Sequence, residues 1–471
     1  MASSQPSTTA ISEASNASVT PSQAVKRLPD SYYDDFLSNN AKERKASPIR
    51  SLFPLEKTPG LISLLAGKPN ETTFPFTSLS FKARSPTDPA QEIDLTLEDV
   101  DLKQGLQYGD TAGFKKLLDW LFGLQENQHG RKRGEGWRIS VGSGSQDLIF
   151  KAVQALVNPG DAVLVESPVY AGVIPMFSTL HCEQVEVETD SQGIRSSSLR
   201  TILEGWPTGK PKPKVLYTVP YGCNPTGMTA SLARRKEVLQ LAREHSFIIL
   251  EDDPYFYLYY GKAPRYPSYF SLEREEPEVG RVLRFDSLSK VLSAGVRIGF
   301  ASGPEKLLNA IDASTATSNL QTSSLTQSII YTLLNAWGYD GFKAHTDAVA
   351  GFYREKRDIF ERAMVKHLTG LAEWSTPEAG MFFWFKLLLT SDGKEGDSQA
   401  VIRTTAFNRG VLALPGTVFL PNGRRSAYVR AAFSLAGEED VERAVERLRL
   451  AVLDERGEGA GEGAEGVEGA Q

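Results

Sequence analysis

The chain has little cysteine, little histidine and no long apolar run, and each shortage removes a class of function. Cys182 and Cys223 are the only cysteines among 471 residues, too few for a disulfide framework and suited to a reducing compartment. The five histidines, at positions 129, 181, 245, 345 and 367, are scattered with no H-E-x-x-H pattern or C-x-x-C companion, so no metal site is expected. No apolar stretch approaches the roughly 20 residues that span a bilayer. A formal charge of -6 is small for this length and points to neither a nucleic acid nor an anionic membrane surface as partner.

The two ends lack large apolar side chains. Residues 1–28 are mainly Ser, Thr, Ala and Gln, and residues 456–471 mainly Gly, Glu and Ala; both read as solvated tails that cannot repay the entropy of ordering. The first of them has neither the apolar core of a secretory signal nor the arginines of a mitochondrial presequence, its first basic residue being Lys26, and the expected location is cytoplasmic.

Between the tails the pattern alternates. Short apolar, β-branched runs (DAVLVE 161–166, KVLYTVP 214–220, FIILEDD 247–253, RVLRFDS 281–287 and RIGFASG 297–303) are separated by helix-like segments such as SLARRKEVLQLAREH at 231–245. This grammar predicts an α/β fold with a mostly parallel sheet covered by helices on both faces. Ligands of such sheets bind beyond the carboxyl ends of the strands. Chemistry-bearing residues stand at three of those ends: Asn224 before a Pro-Thr-Gly turn, Asp252 and Asp253 with Tyr255 after Pro254, and Lys290 after RVLRFDS.

Lys290, with Ser287, Ser289 and Arg297 close in sequence, has the surroundings of a lysine that holds an aldehyde cofactor as a Schiff base. Partial burial and nearby positive charge lower its pKa, while hydroxyls and a guanidinium suit a phosphate. Pyridoxal phosphate meets both demands, although S-x-S-K alone reads equally well as a surface lysine closing a strand. The small-residue turn 142–145 opening a helix at Ser145 adds an anion site made of unpaired amides and a helix dipole.

Ordered motifs then carry a family resemblance from SPIR (47–50) to about residue 453. They include LAGKPN (65–70), LQYGDTAG (106–113), SPVYAG (167–172), YTVPYGCNPTG (217–227), EDDPYFYL (251–258), DSLSK (286–290), GVRIGF (295–300), AGMFFW (379–384) and YVRAAFS (428–434). The chain resembles the class I/II, fold-type I pyridoxal-phosphate aminotransferases, in the group of kynurenine/2-aminoadipate and fungal aromatic amino acid aminotransferases.

The resemblance implies a mostly parallel seven-stranded sheet sandwiched by helices, plus a smaller α+β domain. Residues 76–345 would form the large cofactor domain; 29–75, an arm and part of the small domain; and 346–455, the rest of the small domain. It implies a homodimer with shared active sites. The activity would be ping-pong transfer of an amino group from an aromatic amino acid, 2-aminoadipate or kynurenine to 2-oxoglutarate.

Residue by residue, Lys290 would anchor the cofactor and move the proton, and Asp252 would pair with the pyridine nitrogen. Asn224 and Tyr255 would meet the ring hydroxyl and Tyr170 the ring face. Ser145, Gln146, Ser287, Ser289 and Arg297 would hold the phosphate, with Tyr108 reaching it from the other subunit. Arg430 would clamp the substrate α-carboxylate alongside Asn224 and Gly67, and Arg50 would meet a distal carboxylate.

Some choices stay open in the sequence. Asp253 is an alternative to Asp252, and the aromatic run 255–260 reads also as packing. The stretches 91–102 and 261–281 depart from the mammalian pattern and are expected near the entrance. The same cofactor chemistry on this fold supports a lyase, a cyclase or a decarboxylase. A transcription regulator is disfavoured, because the N-terminal stretch is too short and too poor in basic residues for a DNA-binding domain.

Overall fold

In a computed structural model, residues 25–45, 52, 55–56, 58–65, 67–390 and 396–458 are described. After short helical turns, the first strands form a half-buried antiparallel hairpin, β1 (Leu79–Arg84) and β2 (Glu92–Leu97). The main sheet follows: β3 (Trp137–Gly142), β4 (Ala162–Ser167), β5 (Glu183–Asp190), β6 (Gly193–Ile194), β7 (Val215–Thr218), β8 (Ile248–Asp252), β9 (Val282–Ser287) and β10 (Gly299–Pro304). Their spatial order is β3-β10-β9-β8-β7-β4-β5-β6.

The expected seven-stranded, mostly parallel sheet is present. β4, β5, β7, β8 and β9 pair in parallel, β10 runs antiparallel to both its neighbours, and two-residue β6 extends one edge. Strands β7, β8 and β9 are buried along their whole length, as near-continuous apolar runs between two helical layers require. The helix Leu232–His245 forms where its spacing predicts, with the Ser231 hydroxyl capping its first turn and Val238, Leu239, Leu241 and Ala242 buried.

A second sheet, β11 (Ala372–Trp374), β12 (Phe382–Leu387), β13 (Leu414–Pro415) and β14 (Tyr428–Ala432), pairs antiparallel in the order β11-β12-β14-β13. The helix Glu438–Glu455 covers it over a separate core of Phe383, Phe385, Val429 and Val445. A 45-residue helical stretch, Ser324–Leu368, runs from one core to the other and breaks at Gly338, whose φ of 63° and ψ of -174° are not helical. The expected boundary at residue 345 falls inside this stretch.

Part of the stretch 261–281 packs into the main core and none of it lines the cavity at the strand ends, whereas the sequence expectation put it near an entrance. Tyr269, Phe270 and Leu272 are buried, Glu251 accepts hydrogen bonds from the amides of Tyr269 (2.8 Å) and Phe270 (3.1 Å), and Arg131 bonds Glu273 at 2.6 Å. The sequence shows an insertion's length there, whereas its partners come from β8 and from the loop that precedes β3. The region 91–102 likewise forms β2 and the start of the helix Asp99–Leu106, outside the cavity lining.

Under the carboxyl ends of β8 and β9, Arg284 is wholly enclosed. It bonds Asp253 at 2.7 Å and Asp286 at 2.8 Å and lies 3.4 Å from Glu251, all three buried as well. One cation among three carboxylates holds only as a network, and removing it leaves buried charge without a partner. Arg284→Met is expected to lose about 3–5 kcal/mol of unfolding free energy in urea at neutral pH, with a smaller loss in mild acid, where protonation relieves the stranded carboxylates. A loss that does not depend on pH would contradict this account.

Candidate active site

The carboxyl ends of the central strands open onto a cavity of 230 Å³. Lys290 sits in its wall, at the end of a single helical turn, Leu288–Lys290, that follows β9 and is started by the Ser287 hydroxyl accepting the Ser289 amide. The same cavity is lined by Ser287, Ser289 and Arg297 from that region and by Ser145 and Gln146 from the first turn of the helix Ser145–Leu156. Tyr170, Asn224, Asp252 and Tyr255 line it too, whereas Arg430, Tyr108 and Gly67 do not. A roomier cleft of 620 Å³ lies between the two sheets and holds none of these residues.

The anion end of the cavity is built from backbone and arginine. Gly144 precedes the helix with φ +90°, and a Cβ there would collide with the Arg297 guanidinium. A Cβ on Gly299 would collide with the Ser145 amide. Arg297, itself at φ 51°, is steered by bonds to Ser289 Oγ (3.1 Å) and to the carbonyls of Ala294 (3.1 Å) and Ser143 (3.2 Å). The Gln146 side chain donates to the Gly172 carbonyl at 2.9 Å, so its backbone amide is what it offers to the helix terminus.

At the opposite end, Asp252 closes β8. Its Oδ2 accepts the Tyr217 hydroxyl at 2.6 Å, and its Oδ1 is buried with no hydrogen-bond partner. Burial raises its pKa to about 7; the Tyr217 bond pulls it down and the neighbouring Asp253 pushes it up. Asp253, the alternative carboxylate, is bound to Arg284 and does not line the cavity. For Lys290, burial lowers the pKa first and Arg297 lowers it further, while Asp252 opposes both. Tyr255 is buried, which pushes its phenol well above the ordinary range, so it is a neutral donor at neutral pH.

Arg430 enters from β14. Its Nη1 donates to Asn224 Oδ1 at 2.9 Å, its guanidinium lies over Phe382 at 4.4 Å and Phe419 at 5.3 Å, and its buried Nε has no partner. An unfilled donor next to a filled one is half of a carboxylate fork. Of the other expected residues, Tyr108 is 54% exposed and lies outside the cavity lining, and Gly67 is exposed with no atom within 4 Å of an added Cβ. Arg50 falls outside the described residues.

Three lining residues, Val219, Pro254 and Phe382, and the phenol of Tyr217 went unassigned in the sequence. Tyr217 alone left a signal there: a hydroxyl inside an otherwise apolar strand needs a buried partner.

These donors and acceptors fit pyridoxal phosphate. The group would place its phosphate at the Ser145 helix terminus and Arg297, its ring N–H on the unfilled Asp252 oxygen, and its carbonyl carbon within reach of Lys290.

The family described as aminotransferase class I and II matches residues 85–448. A relative named aminotransferase tdiD, from Emericella nidulans, is 41% identical over 87% of this chain and 94% of its own length. The mitochondrial kynurenine/alpha-aminoadipate aminotransferase of Mus musculus is 39% identical over 88% of this chain and 98% of its own. The crystal structure of aminotransferase Aro8 from Candida albicans superposes with a TM-score of 0.83 at 25% identity, covering 92% of this chain and all of that one.

The Tyr217–Asp252 bond favours the ionised carboxylate, so Tyr217→Phe raises the Asp252 pKa still further. Because that raised pKa costs folded-state stability as pH climbs through about 7, the protein freed of small molecules should lose more melting temperature to this change well above pH 7 than well below it. Equal losses at both would show that the phenol only fills space.

Proposed function

This chain belongs to the class I and II aminotransferases, and from that premise we propose that it moves the amino group of an aromatic amino acid, 2-aminoadipate or kynurenine to 2-oxoglutarate in two half-reactions at one site. It is a pyridoxal-phosphate-dependent enzyme. The observation that carries the reading is the placing of Lys290 and the unfilled Asp252 oxygen in one cavity with Arg430 beside it.

The bound cofactor supplies an electron sink for the carbanion formed at the substrate Cα. The protein's own groups do the rest. Arg430 holds the α-carboxylate with its free edge and so presents the Cα–H toward Lys290. The lysine, made less basic by burial and by Arg297, would be the base that takes that proton and the acid that gives it back. Asp252 would keep the ring nitrogen protonated, Asn224 and Tyr255 would donate to the ring oxygen, and Tyr170 would cover one ring face. Ser145, Gln146, Ser287, Ser289 and Arg297 would hold the phosphate.

Phe382 and Val219 supply apolar wall, which suits an aromatic side chain. A distal carboxylate would be met by Arg50, with Gly67 in the same N-terminal arm. The relatives reported above are all named aminotransferases, so a lyase, cyclase or decarboxylase is disfavoured.

The reading includes a homodimer in which Tyr108 of each chain reaches its partner's phosphate site. Ile62 and Leu64, 89% and 97% exposed on the N-terminal arm, are apolar surface of the kind a second subunit covers. The large domain spans 76–345, with 29–75 and 346–455 forming the arm and the small domain. No helix among the described residues is long and apolar enough to cross a membrane. The proposed location is the cytoplasm; the mouse relative is named as mitochondrial, so fractionation decides between the two.

Lys290→Ala should lose the visible absorbance of the bound cofactor and at least about a thousandfold in turnover; a fully active variant would overturn the mechanism. Arg430→Ala should raise KM for the amino donor about ten- to hundredfold and leave cofactor retention unchanged. A donor panel against 2-oxoglutarate, following glutamate release, should rank aromatic amino acids, kynurenine and 2-aminoadipate above alanine and aspartate. The opposite order would sink the substrate assignment.

A further inference from the structure

The segment behind Arg430 is fastened to the main sheet at two points. The Phe419 carbonyl accepts the Val169 amide at 2.9 Å, one residue before Tyr170. Five residues after Phe419, Arg424 reaches β5 and grips both carboxylate oxygens of Glu186, at 2.6 and 2.7 Å. Ser167, at the end of β4, joins the pair by donating its hydroxyl to Glu186 and accepting from Arg424 at 3.3 Å. Thr417 stiffens the turn between the two points by donating to the carbonyls of Gly423 and Arg424 at 2.9 and 2.8 Å.

The ion pair spans open space. Ser167 and Arg424 line the 620 Å³ cleft together with Trp384 and Tyr428 of the small sheet, whose rings stack on each other at 5.1 Å. Along this cleft polar links bridge the two sheets, whereas elsewhere they meet by packing, with Ala379 and Phe382 in the main core. The next residue, Arg425, makes no such link: its side chain is 89% exposed and only 3.8 Å from Asp397.

We propose that Arg424 and Glu186 are positioning residues, an inter-sheet strap that sets the distance between Arg430 and Tyr170 and thereby the affinity for the substrate α-carboxylate. The Phe419 ring lies beneath the Arg430 guanidinium, and Phe419 is main-chain bonded beside Tyr170, so a shift of the strap moves both walls of the substrate site. The phosphate cradle at Ser145 and Arg297 and the carboxylate of Asp252 belong to the main sheet alone and lie outside its reach. The inference rests on the proposed role of Arg430.

The test uses holoenzyme carrying Glu186→Arg, Arg424→Glu or both, with Arg425→Glu as neighbour control. Each single reversal should raise KM for the amino donor about three- to tenfold, the range for a half-exposed bidentate pair. The dissociation constant of a non-reacting 2-methyl amino acid should rise by the same factor. Turnover at saturation and cofactor retention followed by fluorescence should stay at wild-type values, and the double reversal should recover the melting temperature that each single reversal loses. The double reversal should return KM to within about twofold of wild type, and Arg425→Glu should change nothing.

Arg424→Lys, which keeps the charge and loses the fork, gives a milder rise and serves if a reversal does not fold. Single reversals with unchanged KM overturn the strap, as does a loss shared equally by substrate affinity and cofactor retention, which is the mark of a general structural role. Arg430→Ala separates the two ideas. If it raises KM and the strap variants do not, the strap alone fails; if it leaves KM unchanged, the clamp fails and the strap with it.

Discussion

The site depends on one buried cation. Arg284 holds Glu251, Asp253 and Asp286 beneath the ends of β8 and β9 and offsets part of their charge, and a fourth carboxylate, Asp252, stands beside them with one oxygen unfilled. Without a guanidinium there, four carboxylates within two adjacent strands would repel one another in a low-dielectric interior, and protonation would be their only relief. Of the four acids Asp252 alone lines the cavity, and the network below it holds the other three.

Strand alternation sorts these acids. Successive residues of β8 face opposite ways, so Glu251 and Asp253 turn to Arg284 while Asp252 turns to the cavity. The ambiguity between two neighbouring aspartates is therefore already resolved by the period of the strand, once the strand's outer face is known. The identity of that face is not written locally, because Arg284 lies on another strand.

The same distinction separates what was legible from what was not. Strand ends bearing Asn224, Asp252, Tyr255 and Lys290, the helix opening at Ser145 and the sheet itself follow from short patterns, since each is set by residues close in sequence. Val219, Phe382, the hydrogen bond from Tyr217 and the burial of 261–281 depend on which distant elements meet, and periodicity carries no address for that. Arg430 falls between the two classes. An arginine in an apolar strand calls for an anion, yet its neighbour Asn224 is 206 residues away.

The two ends of the cavity are made of different material. Around Gly144, Gly299 and the first turn at Ser145, close contact is achieved by main-chain atoms that no substitution can restyle, and added bulk meets Arg297 or an amide directly. On the other side, Phe382, Arg430 and Phe419 present side chains from a separate sheet. Tolerance to substitution is therefore uneven: any side chain at Gly144 or Gly299 meets Arg297 or the Ser145 amide, whereas a change at Phe382 or Phe419 alters the wall against Arg430.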